Sequence, residues 1–150
     1  MTNHRLNVAI VLMLLASVAC ATASRSAGGT DASPTPAPTP TELGAARAAW
    51  QAADVGSYAL QIKTQCFCAL QDYRIVVNDD GSVQAKAPEN YLPETVDDLF
   101  AVIQGGYDSD AATVRVTYND VGVPLDLYID QSKEMADEEI GYKVTFEDLE

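Results

Sequence analysis

Two thiols one residue apart, Cys66 and Cys68, are the side chains of this chain best suited to covalent chemistry. On an extended segment they point to one side, at a separation near the upper limit for a disulfide. Closing so small a ring removes only about 1.6 kcal/mol of unfolded-state entropy, and strain opposes that gain. Three chemistries stand open for the pair: a structural bridge, a redox-active dithiol, or ligation of a soft metal or a second chain. The bridge is the expected one, because no neighbouring charge lowers a thiol pKa here.

A second constellation is acidic. Asp126 and Asp130 share one face of an extended segment, and Asp137, Glu138 and Glu139 follow shortly after. If Gln131 to Ala136 folds back as a hairpin loop, Asp130, Asp137, Glu138 and Glu139 converge, and calcium is the cation such oxygens suit. No EF-hand spacing is present, and Asp108-x-Asp110 lacks the rest of that loop. A solvated acidic turn that blunts sheet pairing is the plainer reading, so no resident cofactor is expected.

The third constellation is basic and aromatic. If the apolar alternation faces the helices, Lys63, Arg74, Lys86, Arg115 and Lys143 point the other way, together with Phe67 and Tyr128. Asp72, Asp126, Asp130 and Glu147 share that face, so cross-strand charge pairing accounts for part of it. A face with aromatics and mixed charge is also the expected place for a partner, through Lys63, Phe67, Arg74, Arg115, Tyr128 and Lys143.

What is missing narrows the chemistry further. The single histidine, His4, lies in the leader described next, which leaves the body without an imidazole for Ser-His-Asp or Cys-His catalysis. Two cysteines alone fall short of the four ligands of a structural zinc site.

His4 and Arg5 precede an apolar run from Val8 to Ala19, and Cys20 follows. That run has the length of a signal h-region and is well short of the roughly 20 residues of a membrane-spanning helix. Leu15-Ala16-Ser17-Val18-Ala19-Cys20 resembles a lipobox, the site where bacterial lipoproteins are acylated on cysteine and cut before it. Ala21-Thr22-Ala23 offers ordinary signal peptidase a competing site that would release the protein. Acylation of Cys20 leaves Cys66 and Cys68 as an even pair, which suits an oxidising compartment; parity holds equally if Cys20 departs with the leader. From Ala21 to Thr41 no large apolar residue occurs, and Pro34, Pro36, Pro38 and Pro40 alternate with small residues. Such a stalk favours polyproline II and reaches on the order of 60 Å when extended. The expected organisation is signal peptide 1–19, lipidated cysteine and disordered linker 20–41, and one domain 42–150.

That domain carries 21 acidic and seven basic residues, a formal charge of −14 in a chain whose total is −13. A field of that sign disfavours nucleic acid and anionic headgroups and favours solubility, cations and basic partners. Thr41 can cap a helix along which Leu43, Ala46, Trp50 and Ala53 recur, with Gly56 as its stop. The period then changes to two over Tyr58, Leu60, Ile62, Thr64 and Cys66, and again over Tyr73, Ile75 and Val77. Asp80-Gly81 marks a hairpin into a third strand over Val83, Ala85 and Ala87. Thr95 and Asp98 form a capping box for a helix with an apolar face of Val96, Leu99, Phe100 and Ile103, closed by Gly105-Gly106. Three more strands follow, on Val114 to Tyr118, Leu125 to Ile129 and Ile140 to Phe146. The predicted fold class is α+β in the order helix, three strands, helix, three strands. Its antiparallel sheet carries both helices packed on one face.

Trp50, Tyr58, Cys66-Phe67-Cys68, Gly81, Leu99-Phe100, Val116-x-Tyr118, Gly122-x-Pro124, Ile129-Asp130 and Asp137-Glu138-Glu139 occur in an order that resembles a family of bacterial lipoprotein and secreted domains of unknown function. The resemblance spans nearly all of 42–150. Val123 stands where an aromatic is common, and Ala69 where proline is frequent. It implies an extracytoplasmic location and supplies no activity.

The expected function is therefore a non-enzymatic binding or interaction module, tethered to the cell envelope through its lipid anchor. Its partner there would be an envelope protein or a small ligand, and nucleic acid is not expected. The alternatives are a small hydrolase working with paired carboxylates, which can run acid/base chemistry on glycosides, and a calcium-binding structural domain.

Overall fold

The computed structural model describes residues 39–66, 69–135 and 137–149. The leader, Cys20 and most of the linker lie outside the described residues, as do Phe67 and Cys68.

The first helix, α1 (Pro40–Ala53), begins two residues before the expected start. Its N-cap is Thr39, whose hydroxyl accepts from the Glu42 amide at 3.4 Å while the Glu42 carboxylate accepts from the Thr39 amide at 2.6 Å. Proline is well placed in a first turn because its missing N–H has no intrahelical partner there. The last of the linker prolines is thus helical. The helix stops at Asp54, in left-handed geometry with φ 48°, rather than at Gly56.

Next come β1 (Tyr58–Thr64) and β2 (Asp72–Val77), paired antiparallel. Thr64 closes the connecting loop: its amide donates to the Gln71 carbonyl at 2.9 Å and its hydroxyl accepts from the Gln71 amide at 2.7 Å. Cys66 consequently sits in the loop and not on the strand, which corrects the strand geometry assumed for the thiol pair.

The expected third strand does not form. Gly81 (φ 79°) makes its turn, with its amide donating to Asn78 at 2.8 Å, but only Val83 bridges back, to Val77. Ala85 and Ala87 have little surface to bury and Pro88 has no amide to give, so the chain leaves the sheet edge as a loop. Lys86 goes with it and is not on the outer sheet face.

The second helix, α2 (Val96–Asp108), is capped by Thr95 and Asp98 as the sequence predicts. It runs through Gly105-Gly106 instead of ending there. A Cβ on Gly106 would lie 3.0 Å from Ile129 Cδ1 and 3.2 Å from Val114 Cγ2. The glycine therefore serves close approach of helix to sheet.

Three strands complete the chain: β3 (Thr113–Tyr118), β4 (Pro124–Asp130) and β5 (Ile140–Asp148). The five strands form one antiparallel sheet in the order β2-β1-β5-β4-β3. The architecture is α+β, with two strands rather than three before α2. α2 lies on β3 and β4. α1 packs on α2 instead of lying alongside it across the sheet, and reaches the strands through Trp50, whose ring meets Tyr58 and Phe146 edge-on at 5.3 and 6.0 Å. Leu43, Leu60, Ile62, Ile75, Leu99, Phe100, Ile103, Leu127 and Ile129 form the buried core between these layers.

Candidate functional site

Antiparallel register sends every second residue to the face that the helices leave open. In one row across this outer face, Asp72 of β2 stands opposite Lys63 of β1, Lys63 opposite Lys143 of β5, Lys143 opposite Asp126 of β4, and Asp126 opposite Thr117 of β3. The charges therefore run minus, plus, plus, minus. Two lysines directly opposite repel, and each turns to the carboxylate on its other side. Lys63 Nζ lies 3.2 Å from Asp72 Oδ2, and Lys143 Nζ donates to Asp126 Oδ2. Gln61 also donates to Asp72, and this bond, ahead of Lys63, holds the Asp72 carboxyl below its usual 3.8.

A neighbouring row carries Arg74 opposite Gln61, and Gln61 opposite Thr145. Arg74 Nη2 reaches Glu147 Oε2 at 2.7 Å, although β1 lies between their strands. The pair spans Ala59, which is fully buried despite its outward position in the alternation. A larger side chain there would block the span.

On the other side of the row, Arg115 stacks on Tyr128, its guanidinium carbon 4.4 Å from the ring centroid. Tyr128 stands opposite Gly141, where a Cβ would come within 2.7 Å of the Gln65 carbonyl. Such a stack is worth about 0.5–1 kcal/mol at an exposed site.

Five of the six residues expected to meet a partner, Lys63, Arg74, Arg115, Tyr128 and Lys143, therefore share one surface. The sixth, Phe67, lies outside the described residues. With Asp72, Asp126, Asp130 and Glu147, the outer face holds four basic and four acidic residues, so it is neutral. The rest of 42–150 has three basic residues against 17 acidic. The whole −14 belongs to the helix side, the edges and the loops. The exposed pairs add little to stability: a double-mutant cycle on Lys143 and Asp126 is expected to give no more than about 1 kcal/mol in urea unfolding.

The acidic constellation does not assemble in the same way. Asp130 accepts from the Ser132 amide at 3.1 Å, Asp137 adopts φ 80°, and one Glu138 carboxylate oxygen is buried without a hydrogen bond. Among the described residues, no group of three or more His, Cys, Asp or Glu side chains could hold a metal ion. Cys66 is partly buried at the loop entrance, beside Gln65, whose amide donates to Gly141 at 2.7 Å.

An antiparallel sheet with its helices on one side, and paired charges on the other, defines an α+β domain. Residues 42–147 match the family of unknown function DUF6174, and the chain belongs to that family. No curated protein and no solved structure matches it.

Proposed function

We propose that this chain is an extracytoplasmic lipoprotein, acylated on Cys20, whose domain docks an envelope protein on the outer face of its sheet. The observation that carries the docking reading is the distribution of charge. A partner approaching the helix side meets a strongly acidic surface, whereas the outer face presents balanced charge around the Arg115–Tyr128 stack. Complementary placement of charge there sets register and partner choice more than affinity. The leader, the lipobox-like hexapeptide and the proline-rich linker support the tether. The Cys66–Cys68 bridge belongs to the same proposal, supported by cysteine parity.

Two measurements test it. Mass spectrometry of the native protein is expected to find Cys20 as the first residue, bearing acyl mass. A start at Met1 or Ser24 overturns the tether. Cross-linking in intact envelopes is expected to capture one partner, and Lys63→Glu with Arg115→Glu to abolish that capture while the melting temperature stays within a few degrees. An unchanged cross-link overturns the docking face.

A further inference from the structure

The loop that carries Lys86 away from the sheet edge closes, with the first turns of α2, an open groove of about 670 Å³. The loop is held in shape at several points. The Ala87 amide donates to Glu94 Oε1 at 2.8 Å, the Tyr73 hydroxyl to the Pro93 carbonyl at 3.0 Å, and the Glu94 and Thr95 amides both to Asp98 Oδ2 at 3.0 Å. Each carboxylate thus commits one oxygen to the backbone; its other oxygen has no hydrogen bond among the described residues.

Lys86 lines the same groove as Glu94 and Asp98. The three ion pairs among the described residues all lie on the outer sheet face, and Lys86 is in none of them. One cation and two carboxylates therefore share the groove without pairing to one another. The groove is also lined by apolar surfaces: Val102, and Tyr91, which is 74% exposed although it is a large aromatic. A simple anion is repelled there by the carboxylates and by the acidic body of the domain, and a simple cation makes no use of the lysine.

We infer that the groove binds a zwitterion with an apolar side chain, that is, an α-amino acid or a short peptide with both ends unblocked. Lys86 takes the ligand carboxylate, Glu94 and Asp98 take the ammonium through their uncommitted oxygens, and Tyr91 and Val102 contact the side chain. This site is distinct from the docking face and does not depend on it.

The test is a nitrogen-15 NMR titration of the full chain with leucine, leucyl-leucine, N-acetyl-leucine and leucine amide. Free leucine or the dipeptide is expected to give saturable shifts confined to residues 86–102 at about millimolar concentration. Each blocked form is expected to bind at least about tenfold more weakly, the loss of one charged contact. Tighter binding of the dipeptide assigns a peptide ligand; equal or weaker binding assigns a free amino acid. Lys86→Gln should abolish the preference for leucine over its amide, and Tyr91→Ala should weaken both without loss of spectral dispersion. Absence of saturable shifts, or equal binding of blocked and free forms, overturns the inference.

Discussion

Gly122→Ala is expected to lower unfolding stability by about 3–5 kcal/mol, because of the described glycines it is the one whose added Cβ meets the closest neighbour. Gly122 sits at φ +88°, in the turn between β3 and β4, where a side chain costs about 1–2 kcal/mol in backbone conformation alone. Its Cβ would lie 2.1 Å from the Ala46 carbonyl oxygen and 3.0 Å from the Trp50 amide nitrogen, both backbone atoms of α1. Backbone cannot swing aside as a side-chain tip can, so either the turn or the helix must move. The turn is pinned by Asn119, which accepts from the amides of Val121 and Val123 at 3.2 and 2.8 Å. Movement of α1 would in turn pull Trp50 from its edge contacts with Tyr58 and Phe146. Urea denaturation reads the loss directly. Gly44→Ala, on the exposed side of the same helix with nothing within 4 Å of its would-be Cβ, should instead stabilise by about 0.5–1 kcal/mol. Equal effects at the two positions would mean that the turn does not rest on the helix.

Alkaline unfolding is the second large effect. Burial pushes the phenols of Tyr58, Tyr73, Tyr118 and Tyr142 above their usual 10.0. An acid whose pKa is raised by folding is held neutral in the native state. Its contribution is complete below pH 10 and is lost as pH climbs towards the raised value, because only the unfolded chain then releases its proton. Tyr58, Tyr73 and Tyr142 are each under 10% exposed. Each such group adds a slope of up to about 1.4 kcal/mol per pH unit between pH 10 and its own raised value, against a total stability of about 5–15 kcal/mol for a domain of this kind. Phenolate absorbance and loss of far-ultraviolet dichroism should therefore rise together in one cooperative step above pH 10. A gradual phenolate signal with an intact fold would show that these hydroxyls reach water. Tyr73→Phe should shift the step upward, although it also removes the hydroxyl that holds the Pro93 carbonyl at 3.0 Å.

The outer face was readable because it depends only on the alternation of side chains along β1, β2, β3, β4 and β5. Lys63, Arg74, Arg115, Tyr128 and Lys143 follow from the period of two and from nothing else. The Thr95–Asp98 cap was readable for a similar reason, as a local contact three residues long. Features set by distant chain were not. Val83, Ala85 and Ala87 alternate like a strand, yet two alanines followed by Pro88 cannot hold an edge. Gly106 looked like a helix stop because its true neighbours, Val114 and Ile129, come from β3 and β4. The alternation carries β1 on to Cys66, whereas Thr64 bonding Gln71 across the hairpin ends it sooner. The groove beside Tyr91 is invisible in the sequence for the same reason: Lys86 comes to line one groove with Glu94 and Asp98 only because the loop leaves the sheet.

The position of β5 bears on when this domain can come into being. Without that strand, β2-β1 and β4-β3 are two separate hairpins with no shared border, since each meets the other only across residues 140–148. Pairing of Lys63 with Lys143 spans 80 residues of sequence, the kind of distant closure that forms slowly. The sheet therefore stays in two halves until β5 joins them. Removing residues 140–148 would accordingly leave two hairpins with unpaired inner edges, a shape open to association with other strands.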